Sequence, residues 1–104
     1  MQQVGDFSLT LQILPAQFNQ TNVATLLIRD RNGNPVTNAQ VQLTINMAVM
    51  DMGTAHVTMS SDKTLYVTKL DKGIISMTGL WNIDASIQLP GQTTFKTRFQ
   101  VMFV

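Results

Sequence analysis

Thioether sulfur is a soft, neutral donor, and this chain concentrates it. Of seven methionines in 104 residues, Met47, Met50, Met52 and Met59 fall within one short stretch, and the only histidine, His56, stands among them. Soft donors of this kind suit Cu(I), and ligand softness is how sites select copper over harder metals. Methionine cannot form a disulfide, so such a site survives where thiols would oxidise. One imidazole beside several thioethers would tighten it. A Cu(II) site would call for more nitrogen and oxygen ligands than a chain with a single histidine supplies. Met47 continues the apolar face of Val41, Leu43 and Ile45, which also suits a core filler. Met59 shares a face with Val57, and the same choice applies to it. Met50 and Met52 differ, because they sit in an irregular run, 48–54, beside Asp51 and Gly53. There an exposed methionine is open to oxidation. If 55–59 is extended, His56 falls on the face opposite Val57 and Met59, as a ligand or as an ordinary surface histidine.

Other chemistry is thin. With no Cys and no Glu in the chain, disulfides, zinc knuckles and thiol catalysis are all excluded. Ser60 and Ser61 follow His56, and Asp51 and Asp62 flank it, but the strained Gly-x-Ser-x-Gly elbow that exposes a nucleophilic serine is missing. No pair of carboxylates is marked for glycoside hydrolysis, and no glycine-rich phosphate loop is present. The expectation is a binding domain and not an enzyme. The basic residues are scattered and the net charge is +1, so nucleic acid is not the expected partner.

The elements that must position these residues are strands. Phe7, Leu9, Leu11 and Ile13 alternate with polar residues until Pro15 ends the run. Residues 23–28 are mostly apolar and read as a central strand. Asn32-Gly33, before Asn34-Pro35, supplies a turn. Val41, Leu43, Ile45 and Met47 alternate again, and 55–59 can be extended. Ser60 to Lys63 reads as a turn, 65–70 as a strand, and Asp71-Lys72-Gly73 as another turn. Ile75 and Met77 open a segment continued by Trp81, Ile83, Ala85, Ile87 and Leu89. Pro90-Gly91 turns the chain into a last strand, with Phe95, Thr97, Phe99, Val101 and Phe103 on one side. No helical period is sustained. About seven short strands with frequent turns predict an all-β, immunoglobulin-like two-sheet antiparallel sandwich. A single domain over 1–104 is expected, with an antiparallel barrel as the alternative. Hydrophobic residues make up 44% and charged ones 12%, about half the usual charged share, which argues against disorder.

In such a sandwich the third and sixth strands commonly pair in mid-sheet. If these are 39–47 and 79–89, Met77 lies near Met47, Met50 and Met52 at one end of the domain. The expected donor set is Met50, Met52, His56 and Met77, with Met47 and Met59 in reserve. Binding through His56 would weaken below about pH 6, where imidazole protonates. No signal peptide is visible in the first residues and no apolar stretch approaches the roughly 20 residues that span a bilayer. The domain is therefore either cytosolic or the mature part of an exported protein.

Gly33-Asn34-Pro35-Val36, Ala39 and Val41, then Met47-x-x-Met50-x-Met52-Gly53, then Met77-x-Gly79-x-Trp81-x-Ile83, resemble the YtkA-like domain family. The likeness runs from about Asn22 to Val104. It implies an exported bacterial domain linked to copper handling, occurring alone, as a lipoprotein, or fused to membrane copper-transport proteins of the CopD type. The implied partners are a copper ion and a membrane copper transporter or copper chaperone. Family members often carry Pro after the first Met of the motif, where this chain has Ala48. The competing expectation is a structural immunoglobulin-like module of a bacterial surface or secreted protein, with the methionines spent on packing.

Overall fold

The computed structural model describes residues 2–49 and 53–104, and Met50 and Met52 of the expected donor set lie outside them. Among the described residues there are nine strands: β1 (Gln2–Val4), β2 (Phe7–Leu14), β3 (Asn22–Arg29), β4 (Gln40–Met47), β5 (Ala55–Thr58), β6 (Ser60–Asp62), β7 (Leu65–Leu70), β8 (Gly79–Gln88) and β9 (Phe95–Phe103). They form a five-stranded sheet in the order β1-β2-β3-β7-β6 and a four-stranded sheet in the order β5-β4-β8-β9. Every pairing between these strands is antiparallel. Two open sheets, and not a closed barrel, make an immunoglobulin-like sandwich. β2-β3-β7-β6 corresponds to the A-B-E-D sheet of that fold, and β4-β8-β9 to C-F-G, with β5 added beside β4.

One residue in two points inward from each sheet, and these residues are the core. Leu26 and Ile28 of β3, Leu43 and Ile45 of β4, and Ile83 and Ile87 of β8 are all fully buried. Each such side chain contributes roughly 1.5–3 kcal/mol by leaving water. β3 is the middle strand of its sheet, as its apolar composition predicts. β4 and β8 pair in the middle of theirs, with Val41 opposite Ile87 and Met47 opposite Trp81.

Three features depart from or add to the sequence reading. Ser60 to Asp62 is not a turn. It pairs with β7 as an edge strand, and the reversal falls at Lys63, whose φ is +57°. All three β6 residues are exposed, so no apolar alternation marks them as a strand. β1 is the second addition: Gly5, at φ +57°, lets Gln2–Val4 fold back on β2. Third, Ile75 and Met77 precede β8 and do not belong to it. Ile75 is a fully buried plug from the β7–β8 connection, and its carbonyl accepts the Asn19 N–H at 2.6 Å.

Candidate metal centre

The end of β4 and the start of β8 define one end of the sandwich. Trp81, opposite Met47, is buried and meets Phe103 edge to face, with ring centroids 6.4 Å apart. Its indole Nε1–H donates to the Met77 carbonyl at 3.1 Å. That bond ties the β7–β8 connection to the end of the sandwich where β4 finishes. Ala48 N–H extends the pairing by donating to Leu80 O at 2.9 Å. Gly79 is needed in this corner: its φ is +133°, and a Cβ there would stand 2.9 Å from Met47 Cε. Met47 thus serves the core, only 8% exposed, with its methyl packed over a glycine.

Met77 is 38% exposed and Val49 is 76% exposed. Met50 and Met52 fall between Val49 and Gly53 in sequence. Beside this corner lies an open depression of about 380 Å³, lined by Gly53, Thr54 and Ala55 from the β4–β5 side, Lys72, Gly73 and Ile74 from the β7–β8 side, and Ile45 and Trp81 between them. The two methionine-bearing connections therefore flank one concavity with an indole in its wall.

The remaining expected donors lie elsewhere. Met59 is a core residue, 5% exposed, whose N–H donates to Val41 O at 2.9 Å. Val41 is six positions before Met47 on β4, so Met59 lies roughly 20 Å away at about 3.4 Å per residue. The reason is register: β5 runs back along β4, with Ala55 opposite Ile45 and Thr58 opposite Gln42. His56 stands opposite Thr44, exposed on the outer face of the four-stranded sheet, whereas Met47 points inward. Its Nδ1 lies 3.2 Å from Thr44 Oγ1. Ser60 and Ser61 belong to β6 in the other sheet. Among the described residues, no group of three or more His, Cys, Asp or Glu side chains could hold a metal ion.

A polar row that the motif reading missed crosses this outer face. His56, Thr44, Asp84 and Arg98 follow one another through the paired positions of β5, β4, β8 and β9. Arg98 grips Asp84 through Nε at 2.7 Å and Nη2 at 3.0 Å. That hydrogen bond, and then the charge of Asp84, raise the Arg98 pKa above its ordinary value. The outward phase of the alternating strands carries all four residues, but only the pairing register aligns them.

Fold and corner together define an immunoglobulin-like sandwich whose β7–β8 connection carries the partly exposed Met77 at one end. No protein-family model and no curated protein matches the sequence. The chain is similar in structure to a DUF4426 family protein from Pseudomonas aeruginosa, with a TM-score of 0.67 over 98% of this chain and 94% of that one, at 10% sequence identity. A conjugative transposon lipoprotein from Bacteroides eggerthii matches with a TM-score of 0.43 at 7% identity, over 94% of this chain and 98% of that one. The first of these likenesses concerns the sandwich fold alone.

Proposed function

We propose that this chain is an extracytoplasmic copper-binding module. It takes Cu(I) through thioethers at the end where β4 meets β8, and passes it to or from a membrane copper transporter or a copper enzyme. The observation that carries the reading is the placement of Met77. It is partly exposed, its carbonyl is held by Trp81 at the end where Met47 lies, and the connection that carries it lines, through Lys72, Gly73 and Ile74, a depression shared with Gly53, the residue after Met52. Met77, Met50 and Met52 are the ligands of this reading, a neutral all-sulfur set of the kind Cu(I) and Ag(I) prefer. Met47 is held in the core, and neither His56 nor Met59 takes part. The resemblance of the methionine motifs to the YtkA-like domain family supports the copper assignment and the extracytoplasmic location. The domain acts by binding and catalyses no reaction.

Titration with Cu(I) under reducing conditions, followed by native mass spectrometry, tests the reading. One ion should be retained by the native chain. Replacing Met50, Met52 and Met77 together by Leu keeps volume and polarity close. Affinity should nevertheless fall at least about tenfold, or ~1.4 kcal/mol. Unchanged affinity in the folded triple variant overturns the assignment. A second reading, a metal-free structural module, is favoured by the use of both Met47 and Met59 as core packing. It requires that the native chain retain no Cu(I).

A further inference from the structure

The far end of the five-stranded sheet gathers two arginines. Arg29 closes β3 and stands opposite Ser8 of β2; Arg31 follows in the turn. Both are exposed. Among the described residues neither guanidinium has an ion-pair partner, the recorded pair being Arg98 with Asp84. The two arginines line one open depression of about 370 Å³ together with the hydroxyl-bearing Ser8 and Thr10. Ser8 and Thr10 point the same way because they are two residues apart on one strand.

The turn that presents Arg31 is held in place. Asp30 Oδ1 accepts the N–H groups of Asn32 at 2.9 Å and Asn34 at 3.0 Å. Asp30 N–H donates to Asn34 O at 2.9 Å, and Gly33 N–H donates to Asp30 O at 3.0 Å. Gly33, at φ +83°, makes the tight reversal possible. The Asp30 carboxylate also lines the depression, with its Oδ1 engaged by the turn's own N–H groups. The depression keeps a net charge of one positive, two guanidiniums against one carboxylate.

We propose that this depression is a second binding site, for a tetrahedral oxyanion: a phosphate or sulfate group. A planar guanidinium donates two parallel N–H bonds to such a group, and two that line one depression can both donate to it. The Ser8 and Thr10 hydroxyls supply further donors. Ser8 Oγ has only a long bond, 3.4 Å, to Gln3 Oε1 and is free to turn. The site lies at the opposite end of the molecule from Met77 and does not depend on the copper reading.

The test is a heteronuclear NMR titration of the full chain with sodium phosphate and sodium sulfate, against sodium chloride at equal ionic strength. Saturable shifts are expected at Ser8, Thr10 and residues 29–34. The exposed double variant Arg29→Gln, Arg31→Gln should weaken the apparent affinity at least tenfold, while Lys96→Gln, on the other sheet, should leave it unchanged. Sedimentation with phosphatidylglycerol vesicles, compared with phosphatidylcholine, separates the sources. Arginine-dependent binding to the anionic vesicles assigns the group to a lipid phosphodiester. Phosphate binding without vesicle binding assigns it to a free ion. Shifts no larger than those from chloride, together with no arginine-dependent vesicle binding, overturn the site. So do responses that survive in the double variant.

Discussion

The two ends of the sandwich solve the same structural problem and leave different surfaces behind. Each end must satisfy the backbone of its loops, and each does so with a pair of side chains. At the methionine end Asn22, fully buried, accepts the Gln17 N–H at 3.1 Å and donates to Gln17 O at 2.9 Å and Gln20 O at 3.2 Å. Trp81 does the equivalent for the β7–β8 connection through Met77 O. At the arginine end Asp30 braces its turn, and the buried Tyr66 spans the β3–β4 crossover. The Tyr66 hydroxyl donates to Val36 O at 2.7 Å and accepts the Ala39 N–H at 3.1 Å. With the backbone satisfied, the exposed positions are free to carry chemistry. One end presents Phe18, Val49, Met77 and Val104. The other presents Arg29 and Arg31 around hydroxyls. A braced loop can hold soft donors or hard cations on one scaffold, and the choice lies in side chains that contribute little to folding.

That contrast can be broken at its braces. Trp81→Ala removes the largest fully buried side chain and should cost about 3–5 kcal/mol. A urea melt measures it, and a loss below about 1 kcal/mol would mean that the methionine end is not organised around the indole. Asn22→Ala strands the Gln17 and Gln20 backbone groups and should cost about 1–3 kcal/mol. Hydrogen exchange should rise first at Gln17 and its neighbours; a uniform rise across both ends would contradict a local brace. Tyr66→Phe keeps the ring and deletes the hydroxyl, so it should cost about 1–2 kcal/mol at the arginine end. Cu(I) affinity should stay unchanged in that variant, and a parallel loss would show that the ends are coupled.

The smallest expected effects sharpen the comparison most. Met59→Leu conserves core volume and should shift stability by less than about 1.5 kcal/mol without touching Cu(I) binding. A large fall in affinity would bring Met59 back into the site despite its distance. Cu(I) affinity should also stay nearly level between about pH 5.5 and pH 7.5, which bracket the ordinary imidazole pKa. A marked fall at the acid end would return His56 to the donor set.

Much of this molecule is legible in local sequence. Period-two alternation identifies β2, β4, β8 and β9 and tells inward from outward residues, because successive strand side chains point to opposite faces. Trp81, Ile83, Ala85 and Ile87 share a face in sequence and are all buried in the fold. β1 and β6 escape this reading for a physical reason. Each is a three-residue edge that pairs with a longer neighbour: β6 has no buried face, and β1 lays only Val4 against the core, too little for alternation to show. Ile75 escapes for the opposite reason: it is buried from a connection, where no alternation announces burial.

The chain by itself settled which residue types were available: thioethers in place of thiols, one imidazole, and arginines beside an Asn-Gly turn. It also settled which way the residues of β2, β4, β8 and β9 face, since successive side chains alternate along a strand. Which donors share a corner was decided by tertiary structure alone. Met47 and Met59 are twelve positions apart and both point into the core, yet the hairpin register sends them to opposite ends. Met47 and Met77 are thirty apart and share an end, because Met47 pairs with Trp81 and the indole holds the Met77 carbonyl. Register is set by all the strands packing at once, so no local stretch of sequence contains it.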